Sequence, residues 1–139
     1  MILLDTSGVL AALIPGQRSH QAAADVLIHG EGPFVLSPFV LAELDYLLAK
    51  IAGTAAALDL LDEVARGAYR LAEFGAGNVA QARKIIDAHA DLGIGLADAS
   101  LVVLAEKLGT HDVLTLDERH FRTLRGPNNK PFRLLPADA

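Results

Sequence analysis

The chain has 139 residues, enough for one domain of ordinary size that buries roughly 70% of the surface its unfolded form exposes. Hydrophobic residues make up 52% and aromatics 5%, which excludes a disordered chain and implies an aliphatic core, while the lack of Cys excludes disulfides and thiolate-bound metal clusters. Twelve basic and 17 acidic residues leave a net charge of −5, which argues against unaided, tight binding of many phosphates but suits a basic partner or a phosphate bridged by a cation.

The first 16 residues are apolar, but they lack a basic lead and Asp5 interrupts them, so they do not read as a signal peptide. No stretch approaches the about 18 uninterrupted apolar residues of a membrane span, and a soluble cytoplasmic protein is expected. Ile2-Leu3-Leu4 is a short apolar run stopped by Asp5-Thr6-Ser7-Gly8, a buried strand entering a helix over 7–13. A second helix is predicted over 20–28, closed by the breaker His29-Gly30-Glu31-Gly32-Pro33.

Phe34-Val35-Leu36 reads as the second strand, and Ser37-Pro38 opens a strongly apolar helix to about residue 52. Gly53 stops it, and Thr54 is expected to cap a helix that ends near 66–67. Residues 68–73 alternate as a third strand, and a helix follows from 75–77 to about 92. Gly93-Ile94-Gly95 is a loop, 97–108 a helix and 113–116 the fourth strand. A short helical turn over 118–124, a turn over 126–130 and an edge strand over 132–135 come last.

Continuously apolar strands separated by helices predict a mainly parallel sheet covered on both faces. Right-handed crossovers gather the strand C-termini at one edge, where ligands of open α/β sheets sit near the switch point. Two acids follow strands there, Asp5 after 2–4 and Asp117 after 113–116. Each has a plain alternative as a helix cap or turn residue.

Glu43 has Phe39, Val40, Tyr46 and Leu47 at helical spacing, so a carboxylate is expected within an apolar face. Asp98 repeats the pattern beside Leu101 and Val102. A buried carboxylate needs a cation, a donor or a raised pKa, so each requires a salt bridge or a shared cation. Asp45 lies about 200° around the helix from Glu43, and the two cannot face one pocket.

Clustered Asp and Glu oxygens select hard ions, Mg²⁺ or Mn²⁺. His20, His29, His89, His111 and His120 show no zinc-type spacing, and His120 is expected to be a surface or packing residue, or a substrate contact. Thr6, Ser7 and Thr115 can orient neighbouring carboxylates, or serve as caps and strand-face hydroxyls. Arg18, Arg119 and Arg122 are candidate phosphate contacts, or plain surface charges.

The order Leu4-Asp5-Thr6-Ser7, Ala42-Glu43-Leu44, Gly95-Leu96-Ala97-Asp98-Ala99 and Leu114-Thr115-Leu116-Asp117, followed by Glu118-Arg119-His120-Phe121, resembles the VapC toxins, PIN-domain endoribonucleases of toxin–antitoxin pairs. The likeness spans nearly the whole chain. It implies one PIN domain over 1–139, folded as a three-layer α/β/α sandwich on a mainly parallel sheet. It also implies that Asp5, Glu43, Asp98 and Asp117 meet as metal-binding and catalytic residues, and it favours Glu43 over Asp45.

The resemblance further implies one or two Mg²⁺ or Mn²⁺ ions, RNA cut by an activated water to leave a 5′-phosphate and a 3′-hydroxyl, a homodimer, and a VapB-type antitoxin. The alternative from another class is a PIN-like protein that binds a partner or RNA without cleaving it. A haloacid-dehalogenase-type enzyme would need a second acid where Ser7 stands, and a receiver domain would need paired acids and a late Lys.

Overall fold

Ile2, Leu3 and Leu4 have no solvent to face on either side, and they form the central strand β1 (Ile2–Leu4) of the computed structural model, which describes residues 1–139. Chain order continues with α1 (Thr6–Leu13), α2 (His20–His29), β2 (Phe34–Leu36), α3 (Pro38–Ala52), α4 (Thr54–Ala65) and β3 (Arg70–Leu71). Then come α5 (Ala76–Ala88), α6 (Leu96–Leu108), β4 (Asp112–Leu114), α7 (Glu118–Thr123) and β5 (Arg133–Leu135).

The sheet is parallel throughout, in the order β3-β2-β1-β4-β5. The chain therefore lays strands outward on one side of β1 and then returns to lay β4 and β5 on the other. The point of divergence is between β1 and β4. The helices pack as the pairs α1/α2, α3/α4 and α5/α6, and right-handed crossovers put α5 and α6 on the face opposite the first two pairs. The expected three-layer α/β/α sandwich is the fold.

Strand register aligns Leu71, Leu36, Leu4, Leu114 and Leu135 in one row across the C-terminal end of the sheet. All but Leu71 are buried, so the row forms a dry floor beneath whatever follows the strands. Leu44 and Leu48 of α3, Leu101 and Leu104 of α6, and Phe121 against Phe132 extend that core.

Several boundaries differ from expectation. Thr54 begins α4 instead of capping it, since Gly53 at φ 96° ends α3 and starts α4 in a conformation that favours glycine. The third strand is only two exposed residues, because Arg70 and Leu71 lie on the sheet's edge. The helix expected to reach 92 stops at Ala88, with a separate 3-10 turn at Ala90–Leu92. The fourth strand ends at Leu114, so Thr115 and Leu116 lie between it and Asp117.

Gly8 sets how near α1 comes to β4. A Cβ there would stand 2.5 Å from the Leu114 carbonyl oxygen and 2.7 Å from its carbon, a backbone that cannot swing aside. Gly8→Ala should therefore push the start of α1 off the sheet and cost about 1–3 kcal/mol, the usual range for overpacking. Urea unfolding measures it; a loss within about 0.5 kcal/mol would mean that α1 is free to shift.

Candidate metal centre

Asp5 is one residue beyond the leucine floor, and its amide donates to Leu114 O at 3.0 Å, extending the β1–β4 ladder past the strand. Extended backbone puts it at the N-cap of α1, yet its side chain caps nothing. The carboxylate turns instead toward β4 and is buried, 5% exposed. Thr115 Oγ1 donates to Oδ2 at 2.7 Å and Ser7 Oγ donates to the same oxygen at 2.8 Å.

Backbone amides fix the aim of both hydroxyls. The Asp117 N–H donates to Thr115 Oγ1 at 2.9 Å, and the Leu116 N–H donates to Ser7 Oγ at 3.0 Å. With those oxygens occupied as acceptors, each hydroxyl has its single proton free for Asp5. Burial raises the Asp5 carboxyl, the Thr115 and Ser7 hydrogen bonds pull it down, the negative charges of Asp98 and Asp117 add to the rise, and the balance stands at about 6.

Asp98 stands in the first turn of α6, partly buried, near the Gly95 backbone N–H at the helix start. Burial raises its pKa, the nearby His120 and the Gly95 N–H oppose that, and Asp117 and Glu43 add to the rise. Asp117 does what the plain alternative foresaw with one oxygen: Oδ1 caps α7 by accepting from the His120 N–H at 3.0 Å. Its other oxygen, Oδ2, is left over, 2.7 Å from His120 Nδ1.

Glu43 corrects the sequence reading. The buried stripe of α3 is Val40, Leu44 and Leu48, whereas Glu43 is exposed and its neighbour Tyr46 is 64% exposed. It is at the rim, where Thr6 Oγ1 donates to Oε1 at 2.6 Å, and its charge is felt by Asp98. Of its apolar neighbours at helical spacing, Val40 is buried, Phe39 and Leu47 are half-buried and Tyr46 is exposed, so Glu43 borders the buried stripe without lying in it. The acid that is truly enclosed is Asp5.

His120 is half-buried, between the surface and packing places expected for it, and its Nδ1 is buried, with Asp98 Oδ2 at 3.6 Å and Asp117 Oδ2 at 2.7 Å. Neither approach is aligned as an N–H···O bond, so the nitrogen has charge partners but no hydrogen-bond partner. Asp98, Asp117 and His120 form the tightest donor group, with atoms all within 4.8 Å of one another. The spacing of three from Asp117 at a helix start was the signal for it.

Arg122, a candidate phosphate contact, is committed elsewhere. It pairs with both oxygens of Asp138 at 2.7 Å and with Glu118 at 2.8 Å. Arg18 and Arg119 are exposed and have no carboxylate within 4.0 Å. Sequence reading also passed over Ser37 and Ser100, both fully buried and 2.7 Å apart, which bolt the start of α3 to α6.

No Lys or Arg lies within 4.0 Å of Asp5, Glu43, Asp98 or Asp117. Carboxylates coupled to one another, one of them in a dry floor, beside an unpartnered buried ring nitrogen, are a donor set that fits a divalent cation. The largest cleft, about 690 Å³, is elsewhere, beside Ile2, Asp112 and Arg133 at the opposite edge of the sheet.

Among known proteins, residues 2–126 match the PIN domain family. Ribonuclease VapC26 of Mycobacterium tuberculosis is 41% identical over 135 residues, covering 97% of this chain and 100% of that protein. A crystal structure of Mycobacterium tuberculosis VapC20, a sarcin-ricin loop cleaving toxin, is similar in fold with a TM-score of 0.77 at 24% identity. That likeness covers 84% of this chain and 90% of the other.

The raised pKa of Asp5 has a signed consequence for stability. The native state holds this proton up to about pH 6 and the unfolded chain only to about 3.8, so ionising Asp5 costs native stability as pH rises through that window. Without divalent ions, Asp5→Asn should be more stable than the wild type at pH 8, by about 1–3 kcal/mol. At pH 4 the two should unfold nearly together. Thermal melts in EDTA at both pH values check this, and an Asn variant that is weaker at pH 8 contradicts it.

Proposed function

This chain belongs to the PIN-domain family, in its VapC branch, and from that membership we propose that it is a divalent-metal-dependent endoribonuclease, the toxin of a type II toxin–antitoxin pair. The observation that carries the reading is the coupling of Asp5, Asp98 and Asp117, from three remote segments, at the sheet's switch point without a single Lys or Arg to neutralise them. Residues 1–139 are read as one such domain, since β5, beyond the matched residues 2–126, pairs with β4.

In this reading Asp5, Asp98 and Asp117, with Glu43 at the rim, hold one or two Mg²⁺ or Mn²⁺ ions. A bound divalent cation supplies counter-charge for a phosphate and a water of lowered pKa. The protein's own share is positional. Thr115 and Ser7 occupy Oδ2 of Asp5 and leave Oδ1 free of them; Thr6 steadies Glu43; and the cap bond on Asp117 Oδ1 leaves Oδ2 for the site. The leucine floor keeps water from the underside. Arg18 and Arg119, exposed and unpaired, are the available phosphate contacts.

Partner binding follows from charge and surface. A net charge of −5 with an unneutralised acidic site suits an antitoxin with a basic segment. Tyr46, Ile51 and Leu58 are half or more exposed on α3 and α4, and single-chain burial leaves such residues for a partner or a second copy. No helix is long and apolar enough to cross a membrane, and a cytoplasmic site of action is part of the proposal.

Purified protein incubated with structured RNA should cut it in Mg²⁺ or Mn²⁺ and be silent in EDTA, with 5′-phosphate ends at the cut. Asp5→Asn and Asp98→Asn should abolish cleavage while staying folded. Thr115→Val should cost about ten- to a hundredfold through the lost aim of Asp5. Cleavage by Asp98→Asn at the wild-type rate would sink the assignment, and RNA that is retained but uncut by the wild type would favour a binding role.

A further inference from the structure

His120 is the one donor at the site that the four-acid reading leaves unused. Its Nδ1 is buried, takes part in no aligned hydrogen bond, and is 2.7 Å and 3.6 Å from the oxygens of Asp117 and Asp98. A histidine present only for packing would turn its nitrogens to water or to a carbonyl, as His111 Nε2 does with Pro127 O at 2.9 Å. A histidine present only to pair with Asp117 would align with it, and this one does not.

The spacings suit another task. Around an octahedral ion with bonds of about 2.1 Å, neighbouring donor atoms lie about 3 Å apart. The two measured separations bracket that value, and the three donors together fall within 4.8 Å. Asp5 and Glu43 are not in this close group. The cap bond from the His120 backbone amide to Asp117 Oδ1 orients that carboxylate, and its other oxygen lies 2.7 Å from His120 Nδ1, so the two side chains present their donors together at the first turn of α7.

We infer that His120 ligates the cation directly through Nδ1, making the tight part of the centre a two-carboxylate, one-imidazole set with Asp98 and Asp117. This rests on the reading of the site as a divalent-cation centre. Its chemical consequence is selectivity. Imidazole suits transition ions better than Mg²⁺, which takes oxygen donors, so the protein should prefer Mn²⁺ beyond what carboxylates alone would give.

The test uses the folded protein and Mn²⁺ or Mg²⁺ alone, with no RNA. Calorimetric titration gives both affinities, and pulsed electron paramagnetic resonance of bound Mn²⁺ reads nitrogen coupling. The wild type should bind Mn²⁺ with nitrogen modulation. His120→Asn, which puts an amide oxygen where Nδ1 was, should lose that modulation and about ten- to a hundredfold in Mn²⁺ affinity, with Mg²⁺ affinity little changed.

His120→Asp supplies the second variant, should the first not fold. It should bind both ions without nitrogen modulation and with the Mn²⁺ preference reduced. Modulation absent from the wild type, modulation kept in His120→Asn, or a Mn²⁺ preference unchanged in His120→Asp overturns the histidine ligand and leaves the metal centre standing. A wild type that binds neither ion overturns the centre itself.

Discussion

A carboxylate placed on a floor of leucines, with no cation beside it, is an expensive object, and the arrangement around Asp5 is organised by that cost. Two hydroxyls share one of its oxygens, and two backbone amides just beyond β4 hold those hydroxyls in place. The hydrogen bonds offset part of the desolvation without removing it, so the group still sits well above its ordinary pKa. The remaining imbalance favours whatever brings positive charge. A divalent ion meets that demand at several carboxylates at once, which a proton on Asp5 does not.

The same demand explains features that look merely structural. Gly8 lets α1 press against Leu114, and only that approach brings Ser7 to the loop after β4. Ser37 and Ser100 join the starts of α3 and α6, the helices that carry Glu43 and Asp98. Ser100 also donates to Ala97 O at 2.6 Å, so its hydroxyl is satisfied on both sides within the core. Each contact fixes a distance between segments that donate to the site.

On the far side, α7 is only six residues long and depends on its neighbours for position. The fork of Arg122 closes on both oxygens of Asp138, and Asp138 Oδ2 accepts from the Leu134 N–H at 2.8 Å. Those contacts hold the Asp138 carboxyl down at about 2, so the clamp stays charged across the working range of pH. A chain segment beyond the sheet thereby steadies the short helix that presents Asp117 and His120. The charges that hold this helix are kept apart from those of the site.

The sequence by itself determined the class of fold, because continuously apolar strands alternating with helices leave few other ways to bury both sheet faces. It also determined that Asp5 and Asp117 stand at one edge, since each follows a strand of a parallel sheet. It misjudged the burial of Glu43, because helical spacing shows which residues share a face but not whether that face meets the core or solvent. It could not place His120 for a related reason: Nδ1 lies beside Asp98, which is 22 residues away and on another helix. Burial, hydroxyl aim and donor spacing were decided only by tertiary packing, because each is a relation between segments that the linear order leaves unconnected.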